Sequence, residues 1–257
     1  AIGIAIGTVV AEVATAIFAG FIVFKSLNQS KTTDEPFFDI SNVFDKAALS
    51  NMVSANLNIM VRTLLQVFAF AYFINQSAQF SNIVLAANYI LLQLISFAAF
   101  FLDGFAFVTE SLIGQAIGAK SRLRFDLSVK RTSILATITA IFLALMVFFF
   151  GDLIINVLTD ISVIQETATA NVPLITIYIL LSVVAFQLDG VFIGASCTQQ
   201  MRNAALISLL IFLIACWKLV PAFGVSGLWR AMIIYVVARG ITLLFYFPGL
   251  RDKSTVC

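Results

Sequence analysis

Between Ile83 and Leu102 the chain carries no charged side chain. As an α-helix that run covers roughly 30 Å, the thickness of a bilayer's hydrocarbon core. Comparable runs recur along the sequence, which is 61% hydrophobic and 11% charged with a mean hydropathy of +1.05. A soluble domain is nearer half apolar and a quarter charged. The runs are apolar all round instead of alternating, which excludes a transmembrane β-barrel. The fold class is therefore an all-α polytopic membrane protein.

Seven spans are expected, at about Ala1–Phe24, Val53–Phe73, Ile83–Ala119, Ser133–Phe150, Val172–Cys197, Ala204–Val220 and Leu228–Phe247. The third is long enough to tilt, project or bend, with Gly104 as the place to bend. Residues 75–82 read as a polar turn, and Pro221–Gly227 as a loop. Residues 26–52 are the longest polar segment and divide the chain into 1–25, this linker and 53–257. Within it Phe37, Ile40, Phe44 and Ala48 follow helical spacing, which fits either a helix on the membrane surface or a solvated loop. Lys and Arg gather around residues 120–131 and on the connections of the same side. The positive-inside rule then places Ala1 outside and Cys257 in the cytoplasm, as in a multi-pass plasma or inner membrane protein. The chain begins inside an apolar segment without Met, which suggests that a preceding part is missing.

Leaving aside Lys218 and Arg230 near span ends, six ionisable side chains fall within these spans: Glu12, Arg62, Asp103, Glu110, Asp189 and Arg239. Charge at bilayer depth is costly, and such residues line cavities, pair or carry ions. Asp103 and Glu110, seven residues apart, share a helix face, and so do Thr8 and Glu12. Arg62 lies among Asn58, Thr63 and Gln66, and pairing with an acid of another helix suits it best. Two arginines can neutralise two of the four acids. The other two must take a proton, bind a cation or meet water.

The chain contains no His, so any proton must ride on carboxylates. Cys197, Cys216 and Cys257 lack metal-ligand or redox spacing, and no P-loop occurs. Neither a metal site nor an organic cofactor is expected, and nothing points to nucleic acid. GxxxG pairs at Gly3/Gly7, Gly114/Gly118 and Gly190/Gly194 signal close helix packing.

Several segments together carry a family likeness: Thr8-Val-Val-Ala-Glu12, Arg62-Thr-Leu-Leu-Gln66, Leu102-Asp-Gly-Phe-Ala-Phe-Val-Thr-Glu110 with Gly114-Gln-Ala-Ile-Gly-Ala119, and Leu188-Asp-Gly-Val-Phe-Ile-Gly-Ala195 with Met201-Arg-Asn203. In order and spacing they resemble the DinF-type branch of the MATE (multidrug and toxic compound extrusion) transporters. The resemblance implies twelve helices in two six-helix lobes around a V-shaped cavity. Ala1–Phe24 would be the sixth helix, the linker would join the lobes, and 53–257 would be the C-terminal lobe. The partners implied are the bilayer, small amphipathic or cationic substrates and the missing N-terminal lobe. The implied activity is export of drugs and organic cations in exchange for H+ or Na+. Asp189 matches a tenth-helix acid of the family, Arg62 stands where some members have a seventh-helix acid, and Thr8 matches a sixth-helix sodium-site threonine. The ion-coupling and substrate residues expected are Asp103, Glu110, Asp189, Arg62, Arg239, Gln66, Asn58, Thr8 and Glu12. Two rivals remain. A lipid-linked saccharide flippase of the same superfamily wants a more basic cavity. The other is a seven-helix receptor or photoreceptor; a retinal Schiff base would need a lysine in the last span, which has none.

Overall fold

The computed structural model describes residues 2–29 and 45–253, which fall into two units, Ala1–Leu49 and Ser50–Cys257. In the first unit, α1 (Ile2–Gln29) is apolar on every side, and its described side chains from Ile6 to Lys25 are all exposed. A helix of this kind is stable only in lipid or against another apolar surface. Glu12 is among those exposed residues. Of the expected surface helix, Phe37, Ile40 and Phe44 lie outside the described residues, and Ala48 belongs to the next helix.

The second unit contains α2 (Lys46–Phe80) from Ser50 onward, α3 (Asn82–Gly118), α4 (Arg122–Leu158), α5 (Ser162–Thr169), α6 (Val172–Gly194) and α7 (Thr198–Lys253). Among the described residues six helices are long and apolar enough to cross a membrane. The longest, α7, is two helices joined at Gly224 (φ 58°, ψ −131°), so seven apolar segments result. Only a residue without a Cβ takes that conformation readily. The expected loop over Pro221–Gly227 is thereby reduced to a one-residue break, and the helix continues past Pro248 to Lys253.

Two other expectations change, and a third is decided between its alternatives. The polar turn at 75–82 is mostly helix, because its polar groups find partners there. The Ser77 hydroxyl donates to the Phe73 carbonyl (2.9 Å) and accepts from Asn88 Nδ2 (2.8 Å). Only Ser81 remains between α2 and α3, and its side chain caps α3 by accepting from the Val84 N–H (3.1 Å). Second, α3 runs unbroken through Gly104 for 37 residues. That is about 55 Å, so it tilts or projects from the bilayer. Third, the stretch after α4 contains the short helix α5, which the acidic composition there concealed.

The turns after α3 and α6 are alike. Gly118-Ala119-Lys120 and Gly194-Ala195-Ser196 each end with a left-handed non-glycine residue, Lys120 (φ 49°) and Ser196 (φ 55°). In each the following N–H reaches back to close the last turn, Ser121 to the Ala116 carbonyl (3.0 Å) and Cys197 to the Phe192 carbonyl (2.9 Å).

Helices α3, α4, α6 and α7 pack together. Buried positions on α4 include Ala136, Ala140, Ala144 and Gly151 at helical spacing, while Phe142 and Phe149 face outward. Small residues inside and aromatics outside suit a bundle in lipid, where close backbone approach drives association. Helices α6 and α3 approach each other closely. A Cβ on Gly190 would collide with the Ala106 carbonyl, and one on Gly194 with the Glu110 carbonyl. Of the expected GxxxG pairs, this one makes the tight contact. A Cβ at Gly114 would only touch the Gly194 carbonyl at 3.6 Å, and Gly3, Gly7 and Gly118 have nothing within 4 Å. Gly190→Ala should therefore lower stability in detergent by about 1–3 kcal/mol, the cost of overpacking. Gly118→Ala should lose nothing. Equal unfolding midpoints for the two variants would remove the glycine contact as the reason for the packing.

Candidate functional site

Asp189 sits in the C-terminal part of α6, buried at about 6% exposed. Arg62 of α2 and Arg239 of α7 both reach it, and both use the same oxygen, Oδ2. The Arg62 Nη2 donates to it at 2.5 Å, and the Arg239 Nη2 makes the second ion pair. The other oxygen, Oδ1, is buried without a partner among the described residues, as is the Arg62 Nε. Burying three charges demands this kind of mutual compensation, and here it is incomplete.

The cluster opens onto a cavity of about 730 Å³. Arg62, Gln66, Asp103, Asp189 and Arg239 line it together with Tyr178 and Tyr235, and Phe70, Phe100 and Phe186 supply apolar wall. Asp103 of α3 is only partly buried and makes no hydrogen bond or ion pair among the described residues. One end is thus charged and the rest greasy, the form of a pocket for amphipathic molecules.

The other expected residues lie elsewhere. Glu110 faces a second cavity of about 370 Å³ with Phe107, Ser111 and Gln115. Helical spacing puts it on the face of Asp103, but two turns of axial distance separate the cavities they line. Asn58 lines a polar pocket of about 610 Å³ with Ser54, Thr198 and Gln200. There it accepts from the Arg202 Nη1 (2.9 Å) and donates to the Thr198 hydroxyl (3.4 Å). Thr8 and Glu12 belong to the first unit. The expected sharing of two arginines between two acids is corrected as well: both arginines sit on Asp189, because Asp103 projects from α3 into open cavity while Asp189 lies between α2 and α7.

Among the lining residues that escaped the sequence reading are two tyrosines, Tyr178 and Tyr235, both buried. A signal for them existed. Tyr235 precedes Arg239 by one helical turn, and Tyr178 precedes Asp189 by eleven residues, three turns on the same face. Buried polar pairing also occurs beside the site, where Thr109 and Gln187 lie 2.8 Å apart across α3 and α6. Among the described residues no three His, Cys, Asp or Glu side chains converge as a metal site would require.

With this geometry in hand, similarity to known proteins becomes informative. A family model described as MatE matches residues 59–217. The chain is 30% identical over 242 residues to DNA damage-inducible protein F of Escherichia coli (strain K12), covering 94% of this chain and 51% of that relative. It thus spans about half the length of the curated relative it matches. Among solved structures, a MATE in the straight conformation superimposes with a TM-score of 0.82 at 12% identity, over 95% of this chain and 55% of the other. An outward-facing multidrug resistance MATE family transporter of the MOP superfamily gives 0.71 at 15% identity, over 77% and 44%. A MOP superfamily transporter from Pyrococcus furiosus Vc1, described as having a binding pocket of reverse polarity, gives 0.72 at 16% identity, over 79% and 45%. At these identities the structures speak for the fold.

Proposed function

The chain belongs to the MatE family, and on that premise we propose that it forms the C-terminal part of a secondary active exporter of amphipathic drug-like compounds, driven by exchange for H+ or Na+. In this reading α1 is the last helix of a first lobe, residues 26–52 connect the lobes, and 53–257 form the second lobe with a cytoplasmic C-terminus. The rest of the first lobe would complete the substrate path, and the protein would work in the plasma or inner membrane. The observation that carries the reading is the cavity itself, where apolar walls meet a buried ion cluster between helices apolar enough to cross a membrane. Two lobes rocking about such a midplane site is the general scheme for transporters of this kind.

Within that scheme Asp103 is the carboxylate placed to take up a coupling ion, since it lines the cavity and no arginine holds it among the described residues. Glu110, Thr8 and Glu12 remain further candidates. The family's association with organic cations transfers less readily, because Asp189, the tenth-helix acid, is already occupied by two guanidinium groups.

The test uses the complete protein in proteoliposomes. A proton or sodium gradient should drive efflux of a fluorescent amphiphile, and Asp103→Asn should reduce the driven flux at least tenfold. Efflux indifferent to both gradients would refute the exporter, and unchanged flux in Asp103→Asn would remove that residue from coupling.

A further inference from the structure

The hydrogen-bond bookkeeping of the cavity is lopsided. A guanidinium carries several N–H donors arranged to grip an oxyanion by two bonds at once. Arg62 and Arg239 each commit one nitrogen, and both commit it to one carboxylate oxygen. The Arg62 Nε has no partner at all among the described residues. Around Asp189 the formal charge is thus one positive unit in excess. Asp103 supplies a second carboxylate to the cavity, but it meets neither arginine within ion-pair distance.

A third arginine extends the pattern. Asn58 lies one turn from Arg62 on α2, and Arg202 donates its Nη1 to Asn58 and its Nε and Nη2 to the Asn203 side-chain oxygen (3.2 and 3.0 Å). Its recorded partners are neutral amides. The polar stripe of α2, from Ser54 through Asn58 to Arg62, therefore runs from a polar pocket whose Asn58 is held by Arg202 to a cavity lined by two more arginines.

The geometry points to an acidic amphiphile as the cavity's ligand: a carboxylate or phosphate head group held by Arg62 and Arg239, with its tail along Phe70, Phe100 and Phe186. This rests on the cavity being the substrate site and adds the charge of the substrate. An arriving oxyanion meets the excess charge of two guanidiniums that line the cavity, without displacing Asp189. A cationic head group meets two guanidiniums before it meets Asp189, and only Asp103 is open to it. Acidic lipid and free acidic compounds share this chemistry.

The test is equilibrium binding to the complete protein in lipid nanodiscs, using two dansyl probes with the same undecyl tail, one ending in carboxylate and one in trimethylammonium. The carboxylate probe should bind at least tenfold more tightly than the ammonium probe. Arg62→Gln should erase that preference, and Arg62→Lys, which keeps the charge, should restore most of it. Competition by dihexanoyl phosphatidic acid, with none by dihexanoyl phosphatidylcholine, would assign the site to acidic lipid. Carboxylate binding that the phosphatidic acid cannot displace would assign it to free acids. Equal or tighter binding of the ammonium probe to the unaltered protein overturns the inference, and so does a preference that survives Arg62→Gln. Neither result bears on gradient-driven efflux, so the exporter reading stands or falls separately.

Discussion

Asp189→Asn should destabilise the protein by about 3–5 kcal/mol, measured by unfolding in detergent micelles, because removing one partner strands buried charge. Here two guanidiniums would be stranded together. Both meet one oxygen of Asp189, whose negative charge an amide lacks, and neither has a second carboxylate within ion-pair distance among the described residues. The effect should be asymmetric. Arg239→Gln leaves Asp189 still paired with Arg62, and Arg62→Gln leaves it paired with Arg239, so each should cost clearly less. If all three variants unfold at the same denaturant concentration, the shared-oxygen arrangement is not what holds α2, α6 and α7 together.

The second large effect is expected at Trp229, which is fully buried. Its indole N–H donates to Asn88 Oδ1 (2.9 Å), Asn88 Nδ2 donates to the Ser77 hydroxyl, and the Phe73 ring lies 4.7 Å away edge-on. This relay of side chains fastens α2 and α3 to α7. Trp229→Ala removes both the packing and the donor and should cost about 3–5 kcal/mol. Trp229→Phe keeps most of the packing but leaves the Asn88 oxygen buried without its donor, a cost of about 1–3 kcal/mol. A Phe variant as stable as the original protein would show that the hydrogen bond contributes nothing, and that volume alone matters at this position.

Membrane helices were legible in the sequence because hydropathy over a window reports them directly. Uninterrupted runs such as Ser133–Phe150 became helices, and the runs on either side of Gly224 did too. Helix ends were harder. Residues 75–80 look like a turn until Asn88, eleven residues beyond Ser77, is known to supply a partner. Lys120 and Ser196 end helices in the left-handed conformation that sequence leads one to expect of glycine. At the site, the ionisable residues announced themselves by being costly at that depth. Their pairing did not, since nothing in the spacing says that Arg62 and Arg239 converge on Asp189 across 127 and 50 residues of chain. The tyrosines were missed for the opposite reason: Tyr178 and Tyr235 are unremarkable by type, and only their turn spacing to Asp189 and Arg239 marks them.

A double-mutant cycle between Asp189→Asn and Arg239→Gln measures the central interaction most directly. Residues in one ion-pair network couple by about 0.5–3 kcal/mol, whereas independent sites add to within about 0.3–0.5 kcal/mol. The double variant should be no less stable than Asp189→Asn alone, since it removes one of the two stranded cations. A double variant whose loss equals the sum of the single losses would contradict a carboxylate shared by two arginines, and with it the charged cavity on which the transport reading rests.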